Sequence, residues 1–414
     1  MADTSGTGAQ GVVGKHISGA QFVSDDRLHL SVDEEISRLN IDKSKLLHLM
    51  NRMKRKVGIT QMKHYWWTKE RKSDFVALKA TDPSGGDWNT GADSSGTLEI
   101  LNTTDAHLFA EGDVFILPSF DLTQQFWVSS VTGKVITAQT ADGSDVNFSA
   151  SPDPNNGDNI LRVSTSFEEG GDKGTIKSES PDQWYNMVQI FQNPVGVTTT
   201  AQHIAYRGES EWDQHLFDTG VDHAFDIEKA LFLGQRAENN TGFQDARHAQ
   251  HFMGGAQQYI STNLVADSDG NLTQTEFTDW MIDTTEYADE PMVFCGSIIF
   301  EGLTKWSETN LEVQRTEDTL GMAVSKFVTP YGDTILLVPH RELLRSDLAG
   351  VAFSLDMADI EYLYLEGLDT HMTGEIQDNG AKQRIEEYRT WASFKMGNEK
   401  KHGLYTGVTA ISTS

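Results

Sequence analysis

The sequence predicts an α+β protein, and three observations support that class. Short apolar runs separated by turn residues recur between residues 97 and 163, which is typical of a compact all-β module. Further along, apolar residues recur at steps of three and four, which predicts one helix of about 25 residues. The C-terminal segment is rich in aromatic residues and has a Gly397–Asn398 turn, which favours strands.

The N-terminal part of the chain is predicted to be an arm followed by helix. Residues 1–30 are rich in Gly, Ser, Thr and Ala and show little periodicity, which indicates an extended arm. Spaced leucines between residues 33 and 57 predict one or two short helices that end near Val57–Gly58. The arm therefore leads directly into the folded part of the chain.

Two β segments flank the all-β module, and the long helix follows the second one. The first covers residues 61–82 and the second runs from Trp184 to Ala201. The helix begins near Ser210, which forms a capping-box pattern with Asp213. Because apolar residues line two of its sides, the helix is expected to be packed on both.

The remainder of the chain alternates helices and strands. Residues 246–255 read as a helical run with a glycine break, and residues 267–271 as a turn before a helix from Thr275 to about Ala288. The apolar run 292–300 has the length of a buried strand or a helix start. Residues 326–339 predict two strands about a Pro-Tyr-Gly-Asp turn.

Charge is segregated along the chain. Of 414 residues, 33 are Lys or Arg and 61 are Asp or Glu, a net charge of −28. Residues 43–72 hold 10 Lys or Arg against one acidic residue, whereas residues 73–381 hold 14 against 50, a net charge of −36. A segment this acidic is expected to repel nucleic acid, because nucleic-acid binding depends on neutralisation of the phosphates by Lys and Arg. A basic arm beside an acidic body instead favours pairing with a neighbouring copy.

Composition also limits the class of protein. The hydrophobic fraction of 38% is enough for a real core, and the single cysteine, Cys295, excludes an internal disulfide framework. No stretch approaches the roughly 18 apolar residues of a membrane span, and no opening segment has signal-peptide character. We therefore expect a protein made in a reducing cytoplasm with no membrane partner.

Several segments carry a resemblance through their order: HYWWTKERK (64–72), GDVFIL (112–117), VSSVTGKVITAQT (128–140), NILRVSTSFEEG (159–170), YNMVQIF (185–191), GESEWDQHLFDTGVDHAFDIEKALFLG (208–234), VTPYGDTILLVPHREL (328–343) and RIEEYRTWASFKMGNEKKHGLYTGV (384–408). In this order the chain resembles the tailed-phage major head proteins of the Hong Kong 97-type fold, in a branch with a β insertion in the extended loop. The resemblance covers roughly residues 35 to 410 and lies in the pattern, not in one motif.

The resemblance implies a division of the chain into parts of that fold. They are an N-terminal arm (1–60), an extended-loop hairpin (61–207) with its insertion at about 97–165, a peripheral domain with a spine helix (208–256), a mainly axial domain (257–370) and the return strands of the peripheral domain (371–414). The implied function is that of a major capsid protein. Copies would form pentamers and hexamers of an icosahedral head that encloses double-stranded DNA by weak non-specific contact.

The same resemblance implies a virion protein that assembles in the host cytoplasm, with portal, scaffolding and decoration proteins as candidate partners. Two alternatives stay open at this point. One is an encapsulin-like compartment shell, which shares the fold but encloses protein. The other is a carbohydrate-binding or hydrolytic β-rich protein built around residues 97–206, a reading that leaves the long helix unexplained.

Residues that suggest chemistry are outweighed by plainer interpretations, so no catalytic, cofactor-binding or metal site is predicted. Residues 267–277 resemble a calcium loop, but Leu272 stands where the loop needs glycine and Glu276 comes two residues early. His248 and His251 would share a helix face but have no third ligand at a suitable spacing. Cys295 lies in an apolar run, and no nucleotide-binding or hydrolase motif occurs.

The residues expected to matter are therefore those that contact other copies or seat the long helix. Lys54, Arg55 and Lys56 are expected to pair with acidic surfaces of a neighbour. Trp66 and Trp67 are expected to anchor the base of the hairpin, although core packing is the plainer role for any tryptophan. The residues predicted to seat the spine helix are Trp212, Leu216, Ile227 and Leu231.

Overall fold

The computed structural model describes residues 45–69, 75–78, 97–100, 108–119, 121–142, 158–170, 174–177, 180–204, 211–239, 249–310, 314–316, 324–328, 334–340, 343 and 347–412. The helices are α1 (Lys45–Arg52), α2 (Thr199–His203), α3 (Glu211–Leu233), α4 (Ala256–Tyr259), α5 (Gln274–Thr285) and α6 (Ser297–Asn310).

The strands, in chain order, are β1 (Lys56–Ile59), β2 (Lys63–Thr68), β3 (Phe75–Ala77), β4 (Thr97–Glu99), β5 (Asp113–Leu117), β6 (Asp121–Thr132), β7 (Val135–Thr140), β8 (Asn159–Thr165), β9 (Asp182–Met187), β10 (Gln189–Thr198), β11 (Ala237–Asn239), β12 (Gln250–Phe252), β13 (Leu264–Ala266), β14 (Asn271–Leu272), β15 (Pro291–Cys295), β16 (Gln314–Thr316), β17 (Val324–Val328), β18 (Thr334–Pro339), β19 (Ala352–Asp356), β20 (Ile360–Leu365), β21 (His371–Met372), β22 (Gln383–Met396), β23 (Gly403–Thr406) and β24 (Ala410–Ile411). The chain divides into two compact units: the discontinuous unit comprises residues 1–64 and 186–414, and the inserted unit comprises residues 65–185.

The first sheet of the discontinuous unit is organised around the long strand β22. In that sheet β22 pairs antiparallel with β10 on one side and β20 on the other, β21 also pairs with β22, and β1 pairs parallel with β20. Buried Ile59, Val188 and Leu363 pack together beside this sheet. Strands that are distant in the sequence are therefore neighbours in the fold.

The second sheet of the discontinuous unit has seven strands in the order β13-β23-β19-β15-β18-β17-β16. Its central strand β15 is buried along almost its whole length, which explains the continuous apolar run in the sequence. Helices α5 and α6 contribute Phe277, Trp280, Ile299 and Leu303 to the core that covers it. This arrangement is an ordinary sheet-and-helix layer.

The inserted unit contains a six-stranded antiparallel sheet in the order β3-β8-β5-β6-β7-β4, and β2 pairs separately with β9. Alternate residues of its strands form one apolar core, which includes Phe115, Phe126, Val128, Ile136 and Ile160. The period-two pattern of short strands thus produces a sheet with one fully buried face.

The α+β class is confirmed, and several predicted elements are present. The long helix is α3, with 23 residues, and the aromatic C-terminal segment forms β22. The run 292–300 was predicted to be a buried strand or a helix start, and it contains both, because α6 begins two residues after β15 ends. Helix α5 begins with a full capping box between Thr273 and Glu276. Residues 1–30, predicted to be an extended arm, and Ser210 lie outside the described residues.

Two local predictions were wrong. The helix expected to end near Val57–Gly58 ends at Arg52, because Lys54 adopts a left-handed backbone with φ of 58° and β1 begins at Lys56. Residues 250–252 form β12, not a helix, and pair with β11.

Gly255, within the predicted glycine break, lies against Gly234 at the end of α3. A Cβ at Gly255 would lie 2.5 Å from the carbonyl oxygen of Ala230, and a Cβ at Gly234 would lie 2.7 Å from that of Met253. The Gly255 amide donates to the Gly234 carbonyl at 2.8 Å. These glycines therefore allow two backbones to meet at the C-terminal end of α3.

Candidate assembly surfaces

The three basic residues 54–56 lie at the turn between α1 and β1. Lys54 is exposed, and Arg55 is half-buried. Lys56 pairs with Asp369 of its own chain, and its ammonium lies 5.4 Å from the ring centroid of Tyr362. Lys56 is thus occupied within the subunit. Pairing of this turn with a neighbouring copy stays a prediction that rests on Lys54 and Arg55.

The β2–β9 strand pair presents aromatic side chains on both of its faces. Trp66 is 6% exposed, whereas Tyr65 and Trp67 on the opposite face are 50% and 62% exposed. The ring of Tyr65 lies 5.6 Å from that of Tyr185, and the Trp184 indole donates to the Thr68 hydroxyl at 3.0 Å. Ordered, exposed aromatic side chains are typical of a protein–protein contact.

The four residues expected to seat α3 fall into two classes. Ile227 and Leu231 are fully buried, while Trp212 and Leu216 are half-buried. The guanidinium carbon of Arg384 lies 4.2 Å from the Trp212 ring centroid, a cation–π contact. The N-terminal half of the helix is therefore held partly by polar contacts with β22, and only the C-terminal half sits in an apolar core.

His223 connects the middle of α3 to both neighbouring strands. Its ring nitrogens lie 2.6 Å from Asn193 Oδ1 on β10 and 2.7 Å from Thr390 Oγ1 on β22. Its ring also stacks on that of Tyr388. Burial lowers the pKa of His223, and the nearby Asp226 carboxylate partly opposes that effect. His223 therefore acts as a buried packing group that connects α3 to β10 and β22.

Sequence reasoning missed a buried polar cluster, which we call the Glu228 junction (Glu228, His340 and the Leu46 amide). Glu228 is 0% exposed, and its Oε1 accepts a hydrogen bond from the Leu46 amide at 3.1 Å and contacts His340 Nε2. It joins α1, α3 and the end of β18. Its members are far apart in the sequence, so no spacing pattern reveals them.

The residues of the calcium-loop-like segment and of the histidine pair that the structure describes have structural roles or positions that do not form a metal site. Glu276 accepts hydrogen bonds from the Thr273 amide and hydroxyl at 2.9 and 2.7 Å, so its carboxylate caps α5. His251 lies on β12, and His248 lies outside the described residues. Within the part of the chain that the structure describes, no three His, Cys, Asp or Glu side chains are grouped to hold a metal ion.

Cys295 is fully buried at the C-terminal end of β15, the central strand of the seven-stranded sheet, where it packs as a small apolar side chain. None of the described helices combines the length and the apolarity that a membrane crossing requires.

A family model and a curated relative that match this chain are both described as major capsid proteins. The family model described as SU10 major capsid protein matches residues 6–409. The major capsid protein of Pseudomonas phage PaMx41 is 23% identical over 264 residues, which cover 61% of this chain and 62% of that protein. The match therefore spans less than two thirds of the relative's length.

Solved structures with some likeness include a phage chain, a GTA-particle capsid chain and an encapsulin chain. A chain of Microbacterium phage Oxtober96 is 11% identical, with 93% of this chain and 96% of that chain covered and a TM-score of 0.44. A capsid chain of the native GTA particle is 8% identical, with 95% and 99% covered and a TM-score of 0.44. A chain of the SrpI encapsulin complex from Synechococcus elongatus is 12% identical, with 57% and 80% covered and a TM-score of 0.41.

Proposed function

Because the chain belongs to the SU10 major capsid protein family, we propose that its copies assemble into the icosahedral head of a tailed phage and enclose double-stranded DNA. The observation that carries this proposal is the extent of the family match, which leaves only a few residues at either end uncovered. The work of such a protein is mechanical: many modest contacts between copies sum to a shell that rarely opens.

The proposed contacts between copies use the surfaces described above. Tyr65 and Trp67 are held in an ordered strand pair and are half or more exposed, so they are suited to bury against a neighbour without a large cost in side-chain ordering. Contacts of this kind that close about rotational axes give pentamers and hexamers. The proposal also includes the division of this chain into the parts of the Hong Kong 97-type fold, with the residue boundaries that the resemblance implies.

The acidic body supports a weak, non-specific relation to the packaged DNA. Residues 73–381 carry a net charge of −36, which disfavours tight phosphate binding and allows DNA to move as it is packaged. Portal, scaffolding and decoration proteins are further partners under this proposal, and assembly takes place in the host cytoplasm.

An encapsulin-like compartment is the nearest rival, because it would also form a closed shell. The two differ in what they enclose: a phage head fills with DNA through a portal, and a compartment encloses protein. Particles isolated from the native host with packaged DNA support the proposal, while DNA-free particles that hold a protein cargo would favour the rival.

The direct test is electron microscopy of the purified protein expressed alone. Closed shells, or rings of five and six subunits, are the expected result. A protein that remains dispersed single chains at every concentration and salt condition, and also in the presence of its own phage's scaffolding protein, would overturn the proposal.

A further inference from the structure

The inserted unit holds a cavity of about 720 Å³ on the face of its sheet that does not contribute to the core. On β6, Phe126 and Val128 point into the core, while the alternate residues Gln125, Trp127 and Ser129 line the cavity. These three alternate residues therefore form a second surface, on the face of the sheet opposite the core. Its volume is in the range of small-molecule and cofactor sites.

The floor of the cavity is a row of cross-strand neighbours. Val114 on β5 is paired with Trp127 on β6 and with Ser164 on β8. Since adjacent strands lie about 4.8 Å apart, Trp127 and Ser164 are separated by about 10 Å across this floor. The tryptophan ring lies on one side of the row and the serine hydroxyl on the other.

Irregularities in the sheet adjust both sides of this floor. The β6–β7 register shifts between Val128 and Ser130, which leaves Ser129 as the extra residue, and the Ser129 hydroxyl donates to the Thr137 carbonyl at 3.1 Å. The β5–β8 register shifts between Val114 and Phe115, beside Ser164. Such bulges are frequent beside binding sites, where they redirect a side chain.

An exposed phenylalanine forms one wall. Phe167 is 55% exposed, yet its ring is closely confined: a Cβ at Gly112 would lie 2.6 Å from Phe167 Cε1, and a Cβ at Gly174 would lie 2.7 Å from Cζ. Gly112 also has a φ of +86°, which favours glycine there. The sequence therefore places two glycines where they allow a solvent-exposed aromatic ring to lie against the cavity.

A buried charge cluster fixes the chain segments that carry this wall. Asp113 is 1% exposed; it accepts hydrogen bonds from the Ala110 amide at 2.7 Å and from the Arg162 guanidinium at 3.0 Å, and it pairs with Lys177. Lys177 also donates to the Leu108 carbonyl at 3.1 Å. These contacts anchor both the turn before β5 and the segment after Gly174, so the cavity is formed before a ligand arrives.

The lining has a distinct chemistry. Besides Phe126, whose side chain is fully buried in the core, it combines the aromatic side chains of Trp127 and Phe167 with five hydroxyl groups and two carboxylates. None of the lining residues that the structure describes is basic. The polar side chains are those of Gln125, Ser129, Ser164, Thr165, Ser166, Thr175, Glu111 and Glu168.

We propose that this cavity binds a neutral oligosaccharide. A sugar ring has an apolar C–H face that packs on an aromatic ring and a rim of hydroxyls that pair with hydroxyl, amide and carboxylate groups. The two carboxylates, Glu111 and Glu168, accept hydrogen bonds from sugar hydroxyls and repel sulfated or sialylated glycans. The inference stands on the inserted unit alone and does not depend on shell assembly.

The experiment probes full-length protein, fluorescently labelled, on an array of neutral hexose and N-acetylhexosamine oligosaccharides with sulfated and sialylated glycans beside them. Binding to at least one neutral oligosaccharide is expected, with no preference for the anionic glycans. Phe167→Ala and Trp127→Ala should each weaken that binding by about tenfold, the loss of one good aromatic contact. Phe167→Leu, which keeps apolar bulk but lacks a flat ring, should give an intermediate loss.

The matched control is Phe75→Ala. Phe75 belongs to the same unit and is 56% exposed, but it does not line the cavity, so its replacement should leave glycan binding unchanged. Circular dichroism of each variant verifies that the fold is retained. The proposal is overturned by an array on which no neutral oligosaccharide binds, by preferential binding of anionic glycans, or by equal binding of the Phe167→Ala and wild-type proteins.

Discussion

The two units of the chain are built on different principles. In the discontinuous unit, buried polar groups connect segments that are far apart in the sequence, as His223, Glu228 and His402 do. In the inserted unit the core is an apolar cluster, and among its described residues Asp113 is the buried charged or polar group. Directional contacts thus specify which distant strands meet in the first unit, while an alternating pattern is sufficient to specify the sheet of the second.

The largest expected effect is at the Glu228 junction. Glu228→Ala leaves His340 and the Leu46 amide without their buried partner, which should lower the free energy of unfolding by about 3–5 kcal/mol. Urea unfolding of unassembled protein measures it. The control is Glu301→Ala, whose exposed ion pair with Lys305 spans one helical turn and should contribute less than about 0.5 kcal/mol. Equal effects for the two variants would contradict the stabilising role of the buried Glu228 junction.

Acid should destabilise the discontinuous unit through His402. Burial lowers the pKa of His402 to about 4, and its Nδ1 accepts a hydrogen bond from the Asp356 amide at 3.1 Å. In the unfolded chain His402 binds a proton below about pH 6.5, whereas in the folded chain it binds one only below about pH 4. Stability should therefore fall as the pH drops between those values, by about 3 kcal/mol in total.

The variant His402→Gln isolates this effect, because the remaining histidines titrate equally in both proteins. Its unfolding free energy should change less between pH 6.5 and pH 4 than that of the wild type. Parallel pH profiles for the two proteins would show that His402 is not the responsible group.

A smaller effect is expected at the buried charge of the inserted unit. Asp113→Asn keeps a hydrogen-bond acceptor for the Ala110 amide but removes the charge that faces Arg162 and Lys177, at a cost of about 2 kcal/mol. Asp182→Asn, an exposed position in the same unit, should be neutral within about 0.5 kcal/mol. A loss at Asp113 as large as that at Glu228 would remove the distinction drawn above.

The smallest effect on stability, and a large one on assembly, is expected at Trp67. Because it is 62% exposed, Trp67→Ser should change the unfolding free energy by less than about 0.5 kcal/mol while reducing the particle yield. Trp66→Ser, at the adjacent buried position, should destabilise the fold itself. Normal particle yield with Trp67→Ser would exclude this side chain from the contacts between copies.

The basic turn gives a related assembly test. Lys54→Glu with Arg55→Glu should lower the particle yield and leave the circular dichroism unchanged, because Lys56 keeps its contacts with Asp369 and Tyr362. Lys69→Glu, a basic residue outside this turn, is the comparison. An unchanged yield for the double variant would count against a role of this turn between copies.

Features that depend on local sequence patterns could be predicted from the sequence, whereas contacts between distant residues could not. Alternation and turn residues indicate β5 to β8, and the steps of three and four indicate α3, because those patterns are local. The Glu228 junction depends on residues that only the fold brings together, and its members look ordinary in the sequence. The helical assignment of residues 250–252 was wrong because they pair with β11 as a strand. The glycine that follows, Gly255, allows a close approach to Gly234, which a local pattern does not distinguish from a helix break.

The central claim is that copies of this chain assemble with one another, and sedimentation velocity of the purified full-length protein tests it most directly. A concentration-dependent population of capsomers and closed particles, reduced by Trp67→Ser, is the predicted result. A single monomeric species at all concentrations, with and without the phage's scaffolding protein and identical for the wild type and the variant, would contradict it.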